Sequence, residues 1–359
     1  MTGFALLFFL VFFPVIGGPE AVPDVPRAEV ETLFQDSYPL EGSISMPAAL
    51  FHWVDSLAGT SGGKTVPAYR QEFAQRFGKL SAEDAARLQR FQAIRLEEVS
   101  RGRRLKSPRR PLNMLGVFLQ EPDLAAAFAR IEPVLGPEAV DDMAATLEHF
   151  RPHYAEIWNG GQVPRRFLDG ARQDPAWKDL EGFLARVAHF FGVDPRAIPR
   201  PRLVAVPVPP DDGTHAEAVG RNMLVEIRPD DRVKDQAAPI VHENAHYLWQ
   251  RMSEDLRDRL LEVARGNPQG LQAWELLREA LPTAIAQGVA DRAFAPQGWS
   301  TEVPWYHTED VDSCAKRIYP LVQEALDTGA PFDEMMMRKL LWAYQGGRRP
   351  GAQSAITPR

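Results

Sequence analysis

The chain has 359 residues, 45% apolar and 25% charged, an ordinary globular balance that excludes fibrous and wholly disordered classes. Its formal net charge of -7 is spread without long acidic runs, which speaks against a general nucleic-acid binder, a class with a basic excess. The single cysteine, Cys314, excludes an internal disulfide and any multi-cysteine zinc site, and its helix-forming surroundings suit a small buried hydrophobe better than a nucleophile.

Phe4 to Ile16 is almost continuously apolar, and Gly17 and Gly18 follow it. The run is shorter than the roughly 20 residues that a helix needs to cross a bilayer. It fits the apolar region of a secretory signal with small residues at the cleavage point, although no Lys or Arg precedes it. Residues 1–18 are therefore expected to be a signal peptide, and the mature protein to be secreted or periplasmic without a stable membrane span. Residues 19–46 read as a Pro-rich, loop-like lead.

Residues 47–198 carry a helical pattern. Apolar residues recur at three- and four-residue spacing in Tyr69–Phe77 and Ala82–Val99, with Leu88, Phe91 and Ile94 among them. Ser81 with Asp84 marks a helix start. Further helices are expected at Asp123–Val134, Glu138–Trp158 and Trp177–Phe191, with Pro152 kinking or splitting the second. The basic cluster Arg101–Arg110 lacks interleaved aromatics and reads as a solvated loop.

The pattern changes near Pro199. Arg202–Val208 and Asn222–Ile227 read as strands separated by turn residues, and helices resume near Gln236. Strands grouped between helical stretches argue for an α+β chain, predominantly helical, with a small sheet preceding the chemically important helix. Residues 199–350 then form the catalytic region with its C-terminal helices.

His242-Glu243-Asn244-Ala245-His246 matches H-E-x-x-H. Val241, Ala245, Leu248 and Met252 recur at helical steps, so the segment is expected to be an amphipathic helix. His242 and His246 then lie one turn apart on one face and can bind a single Zn²⁺. Glu243 lies at a neighbouring azimuth and is placed to take a proton from an activated water. A third protein ligand is required. The extended form with a third histidine fails, because Trp249 and Met252 stand where Gly and His are needed. The candidates are Glu279 and Glu275 in Leu271–Gln287. Glu279 is preferred because small neighbours such as Ala280 permit close approach of the two helices. Pro282 is expected to kink that helix.

These residues resemble the gluzincin type of zinc metallopeptidase, over about Arg202 to Gln287. The resemblance implies a zincin-like fold, His242, His246 and Glu279 as zinc ligands, and Glu243 as general base. It also implies an edge strand that receives the peptide substrate by backbone pairing, a place that Asn222–Ile227 takes here. Such enzymes often steady the oxyanion with a downstream Tyr or His; Tyr306 and His307 are the leading candidates, with Tyr319 beyond them, and Asp310 and Asp312 could orient His307. The spacing from His246 to Glu279 is longer than in compact members of the group.

The remaining histidines have plainer expectations. His52, His149, His153 and His189 read as core or boundary residues, and the i,i+4 pair His149/His153 lacks a neighbouring carboxylate base. His215 lies near the strands and could line a cleft. The functional expectation is an exported zinc metallopeptidase acting on a peptide or protein. The alternatives are a non-catalytic helical envelope protein with a structural zinc, or a zinc hydrolase acting on a non-peptide substrate.

Overall fold

Ser45 starts the first helix. Its hydroxyl accepts the Ala48 N–H at 3.3 Å, and Pro47 occupies the first turn, where a missing N–H costs nothing. This helix, α1 (Met46–Ala58), is buried at every position. The computed structural model describes residues 31–34, 40–61, 66–104, 113–210 and 215–345. The expected signal segment lies outside the described residues, as do most of the lead and part of the basic cluster Arg101–Arg110.

Helices follow α1 in a layer: α2 (Val66–Phe77), α3 (Ala82–Arg104), α4 (Met114–Gln120), α5 (Leu124–Leu135), α6 (Pro137–Trp158), α7 (Gln162–Gln173) and α8 (Pro175–Phe190). The Ser81–Asp84 helix start is formed reciprocally: Ser81 N–H donates to Asp84 at 2.8 Å, and Asp84 N–H to the Ser81 hydroxyl at 3.1 Å. Pro152 does not split its helix; α6 runs unbroken from Pro137 to Trp158. Burial of Phe150, Tyr154 and Trp158 outweighs the one backbone hydrogen bond that proline removes.

The sheet is small and mixed. Its strands are β1 (Glu31–Phe34), β2 (Glu41–Ile44), β3 (Arg202–Pro207), β4 (Ala216–Val219) and β5 (Asn222–Ile227), in the order β1-β2-β3-β5-β4. β2/β3 and β3/β5 are parallel; β1/β2 and β4/β5 are antiparallel. Two sequence expectations are corrected, and one strand is new. The lead carries two strands, not only loop, because β2 finds its partner at β3, far along the chain. β5, expected at the edge, is an inner strand paired on both sides. The edge on that side is β4, whose Ala, Glu and Ala are depleted in strands, so that Val219 alone gave too little local signal.

Beyond the sheet come α9 (Val233–Arg251), α10 (Glu254–Arg265), α11 (Gly270–Thr283), a π-helical segment Ala284–Ala290, α12 (Asp291–Phe294), α13 (Glu309–Thr328) and α14 (Glu334–Tyr344). The chain is thus predominantly helical around a small mixed sheet. One continuous core runs from Leu40 to Leu341 and draws on both the 47–198 and the 199–350 stretches. Polar clamps join these stretches too. Glu226 on β5 is fully buried, and its Oε1 accepts hydrogen bonds from the His52 ring and the Tyr69 hydroxyl, each at 2.8 Å. Gly116 on α4 sits so close to β4 that an added Cβ would lie 2.4 Å from Val219 Cγ1.

His215, just before β4, stacks on His52 with ring centroids 5.7 Å apart and planes 2° from parallel. Burial, and then the neighbouring His52, push its pKa down to about 4, against the opposing pull of Glu226 and Asp55. Glu217 on β4 also faces it, with 4.0 Å between His215 Nε2 and the carboxylate. A histidine with a lowered folded-state pKa binds fewer protons than the unfolded chain between about 6.5 and about 4, so folding stability falls as pH falls through that window. The full loss is about 3 kcal/mol, at about 1.4 kcal/mol per pKa unit. We expect His215→Phe to narrow the gap between urea stabilities at pH 7 and pH 4.5 by up to that amount; an unchanged gap would mean that His215 is not held neutral by burial.

Candidate metal centre

Helix α9 begins where Arg232 N–H donates to the Asp235 carboxylate at 2.9 Å and Asp235 N–H donates to the Arg232 backbone carbonyl at 3.0 Å. The sequence pattern suggests one buried face, but α9 is buried on most of its circumference. Val241, Ala245, Leu248 and Met252 are buried as expected, and so are Ile240, Asn244, Tyr247 and Trp249. The reason is its central position: α8, α11, the π-helical segment, β4 and β5 all pack on it.

His242 and His246 leave this helix on one side, with ring centroids 4.8 Å apart. Helix α11 brings Glu279 to them. His242 Nε2 lies 3.0 Å from Glu279 Oε1, His246 Nε2 lies 3.4 Å from the same oxygen, and the two Nε2 atoms are 3.1 Å apart. Glu275 points elsewhere: its side chain is 68% exposed and pairs with Arg278 at 3.0 Å. Burial alone would raise the Glu279 pKa, but hydrogen bonds with His242 and His246 hold it well below the ordinary carboxylate range.

These three donors fit a metal. An ion with tetrahedral ligands at about 2.0–2.1 Å sets its ligand atoms roughly 3.3 Å apart. The observed separations of 3.0, 3.1 and 3.4 Å bracket that spacing. Among the described residues this is the one group of three His, Cys, Asp or Glu side chains with donors so close together. Two imidazoles and one carboxylate form a catalytic type of zinc donor set, leaving the fourth position for water or substrate. Glu243, 8% exposed, follows His242 directly on the buried helix.

Tyr306 lies beside His242. Its ring lies nearly parallel to that of His242, at a centroid distance of 6.3 Å. Burial raises its pKa most, and the Glu279 charge, the hydrogen bond to Glu279 and the Glu243 charge add to the shift. The hydroxyl therefore keeps its proton and can donate it. His307 is exposed and packs on Tyr306 at 4.2 Å, forming no bond with the three donors. Asp312 does not orient His307. Its Oδ1 instead accepts the backbone N–H groups of Trp305 at 2.6 Å and Tyr306 at 3.3 Å, while Oδ2 pairs with Lys316 at 2.8 Å. Asp310 is exposed. Tyr319 is committed elsewhere, accepting a hydrogen bond from Arg292 at 2.7 Å.

The other histidines serve local contacts. His149 bonds Asp84 at 2.7 Å, His153 packs on Phe73 and Phe77, and His189 donates to the Gly329 carbonyl at 3.1 Å. Cys314 is buried, and burial pushes its thiol up to about 12. What sequence reading missed is the π-helical segment. Pro282 does not end α11; the chain continues into i→i+5 winding, a form that often sits at functional sites. No protein-family model, curated protein or solved structure matches the chain.

Gly288 in this segment lets α13 and the Tyr306 loop close over the site. A Cβ there would lie 2.5 Å from Tyr319 Cδ2 and 3.2 Å from Trp305 Cζ3. Overpacking of this kind costs about 1–3 kcal/mol, against at most about 1 kcal/mol regained from helix propensity. We therefore expect Gly288→Ala to lower the melting temperature and shift tryptophan emission. A variant melting at or above the wild type would show that both rings swing aside at no cost.

Proposed function

We propose that this protein is a zinc-dependent metallohydrolase of the gluzincin type, acting as a peptidase. The observation that carries the reading is the convergence of His242, His246 and Glu279 from two helices at separations suited to one tetrahedral ion. Bound zinc would supply Lewis-acid polarisation of a carbonyl and acidify water toward neutral pH.

The protein's own groups do the rest. The two imidazoles and the Glu279 carboxylate hold the ion. Glu243, next to His242 and largely screened from bulk water, takes the proton of the attacking water and returns one to the leaving amine. Tyr306 stays protonated under the influence of burial and the two carboxylates, and its hydroxyl donates to the oxygen that gains negative charge. A zincin-like reading of the fold rests on this same arrangement: the edge strand β4 and its inner partner β5, then the helix of the two histidines, then, after α10, the helix with Glu279.

The peptide reading rests on β4. It is one of the two edge strands of the sheet, no described strand pairs beyond it, and it packs on α9, so an extended chain can add to that edge near the helix of the two histidines. Placement outside the cytoplasm rests on the amino-terminal sequence pattern alone. No described helix is long and apolar enough to cross a membrane.

Purified protein is expected to hold about one zinc per chain, and His246→Ala to lose it. Glu243→Gln should keep the zinc yet cleave neither labelled casein nor a quenched peptide library. Tyr306→Phe should lower kcat about 100- to 1000-fold with a smaller change in KM. Wild-type turnover by Glu243→Gln would remove Glu243 from the base role, and a metal-free wild type would end the reading.

A further inference from the structure

The chemistry proposed for His242 needs its Nε2 lone pair directed at the metal. That requires the proton on Nδ1, and an acceptor to hold it there. His242 Nδ1 is fully buried, and neither the backbone nor any carboxylate takes it up. The remaining polar side chain that acts on this ring, besides Glu279, His246 and the Glu243 charge, is Gln287. Gln287 Oε1 is equally buried and likewise forms no hydrogen bond, with His242 or with any other group. Two complementary orphans at one place in a protein core are matched to one another, because leaving either unpaired is costly.

The winding of the chain explains how Gln287 comes to face the same way as Glu279. Gln287 follows Glu279 by eight positions. At about 100° per residue, eight residues of α-helix overshoot two turns by roughly 80°, which would aim Gln287 well to the side of the site. The i→i+5 turns of Ala284–Ala290 advance less per residue and reduce that overshoot. The segment is fixed in this phase from outside: Trp299 Nε1 donates to the Gln287 carbonyl at 2.8 Å, and Gly288 admits the Tyr319 and Trp305 rings.

We infer that Gln287 is a positioning residue, whose side-chain carbonyl accepts the Nδ1 proton of His242 and thereby commits Nε2 to the metal. The π-helical segment exists to present it. This inference rests on the zinc reading of the same site, and its test separates the two. Zinc affinity of the full chain is measured by competition with a chromophoric chelator, for wild type, Gln287→Leu and Gln287→Glu. Circular dichroism checks the fold, and long-range proton–nitrogen NMR reads the His242 tautomer. We expect Gln287→Leu to bind zinc about 10- to 100-fold more weakly and to lose the pure Nδ1–H tautomer, with Gln287→Glu restoring both. If Gln287→Leu does not fold, Gln287→Asn, one methylene shorter, reports the same loss. Wild-type zinc binding together with undiminished affinity and tautomer in the Leu or Asn variant overturns the role given to Gln287. Failure of the wild type itself to bind zinc overturns the metal reading instead.

Discussion

Three donor atoms that would ordinarily be kept apart are pressed together where α9 meets α11. Two imidazole nitrogens 3.1 Å apart cannot both carry a proton toward each other, and the Glu279 oxygen lies within 3.4 Å of each. Such a cluster persists only if the helices are held in contact by something stronger. α9 and α11 pack directly on one another, and Ala245, Ala280, Leu277 and Leu281 on the two helices are all buried in the apolar core that holds them. The polar cluster is thus a consequence of core packing, and its geometry is as rigid as the core.

That dependence explains what the amino-acid sequence disclosed. The two histidines are one helical turn apart, so their shared face follows from local periodicity alone. Glu279 could be preferred to Glu275 because Ala280 beside it permits close approach, and Glu275 indeed lies outside, paired with Arg278. Features set by distant partners left no such trace. β2 is a strand because β3 accepts it, and β4 is an edge because no described strand pairs beyond it; neither property is written in four residues of Glu-Gly-Ser-Ile or Ala-Glu-Ala-Val. Tyr306 and His307 are neighbours in the chain, and only the fold distinguishes them. Asp312 fixes the backbone of Tyr306 so that its ring meets His242, leaving His307 in solvent.

The amino-terminal helices have a part in this that composition could not assign. They form the layer that supports the sheet. His52 on α1 and Tyr69 on α2 hold the buried Glu226 carboxylate of β5, and α4 presses against β4 at Gly116. Burial of Glu226 costs free energy that these donors help to offset, so they tie the amino-terminal helices to β5, the partner of the edge strand. An edge strand offered to a substrate needs such backing, because its own few hydrogen bonds to β5 leave it free to twist or slip.

The same logic applies on the other side of α9. A regular α-helix through Pro282 would carry Gln287 away from the ring it accompanies, and a break there would leave it unanchored. The π-helical segment avoids both. It follows directly on α11, which runs through Pro282 to Thr283, and reduces the angle by which Gln287 would overshoot Glu279. At Gly288 it provides the gap into which Trp305 and Tyr319 settle. Because Trp305 directly precedes Tyr306, the irregular winding that places a partner for His242 also sets the height of the tyrosine across the site. One local departure from α-helical geometry therefore bears on both Gln287 and, through the packing of Trp305 at Gly288, the residue next to Tyr306.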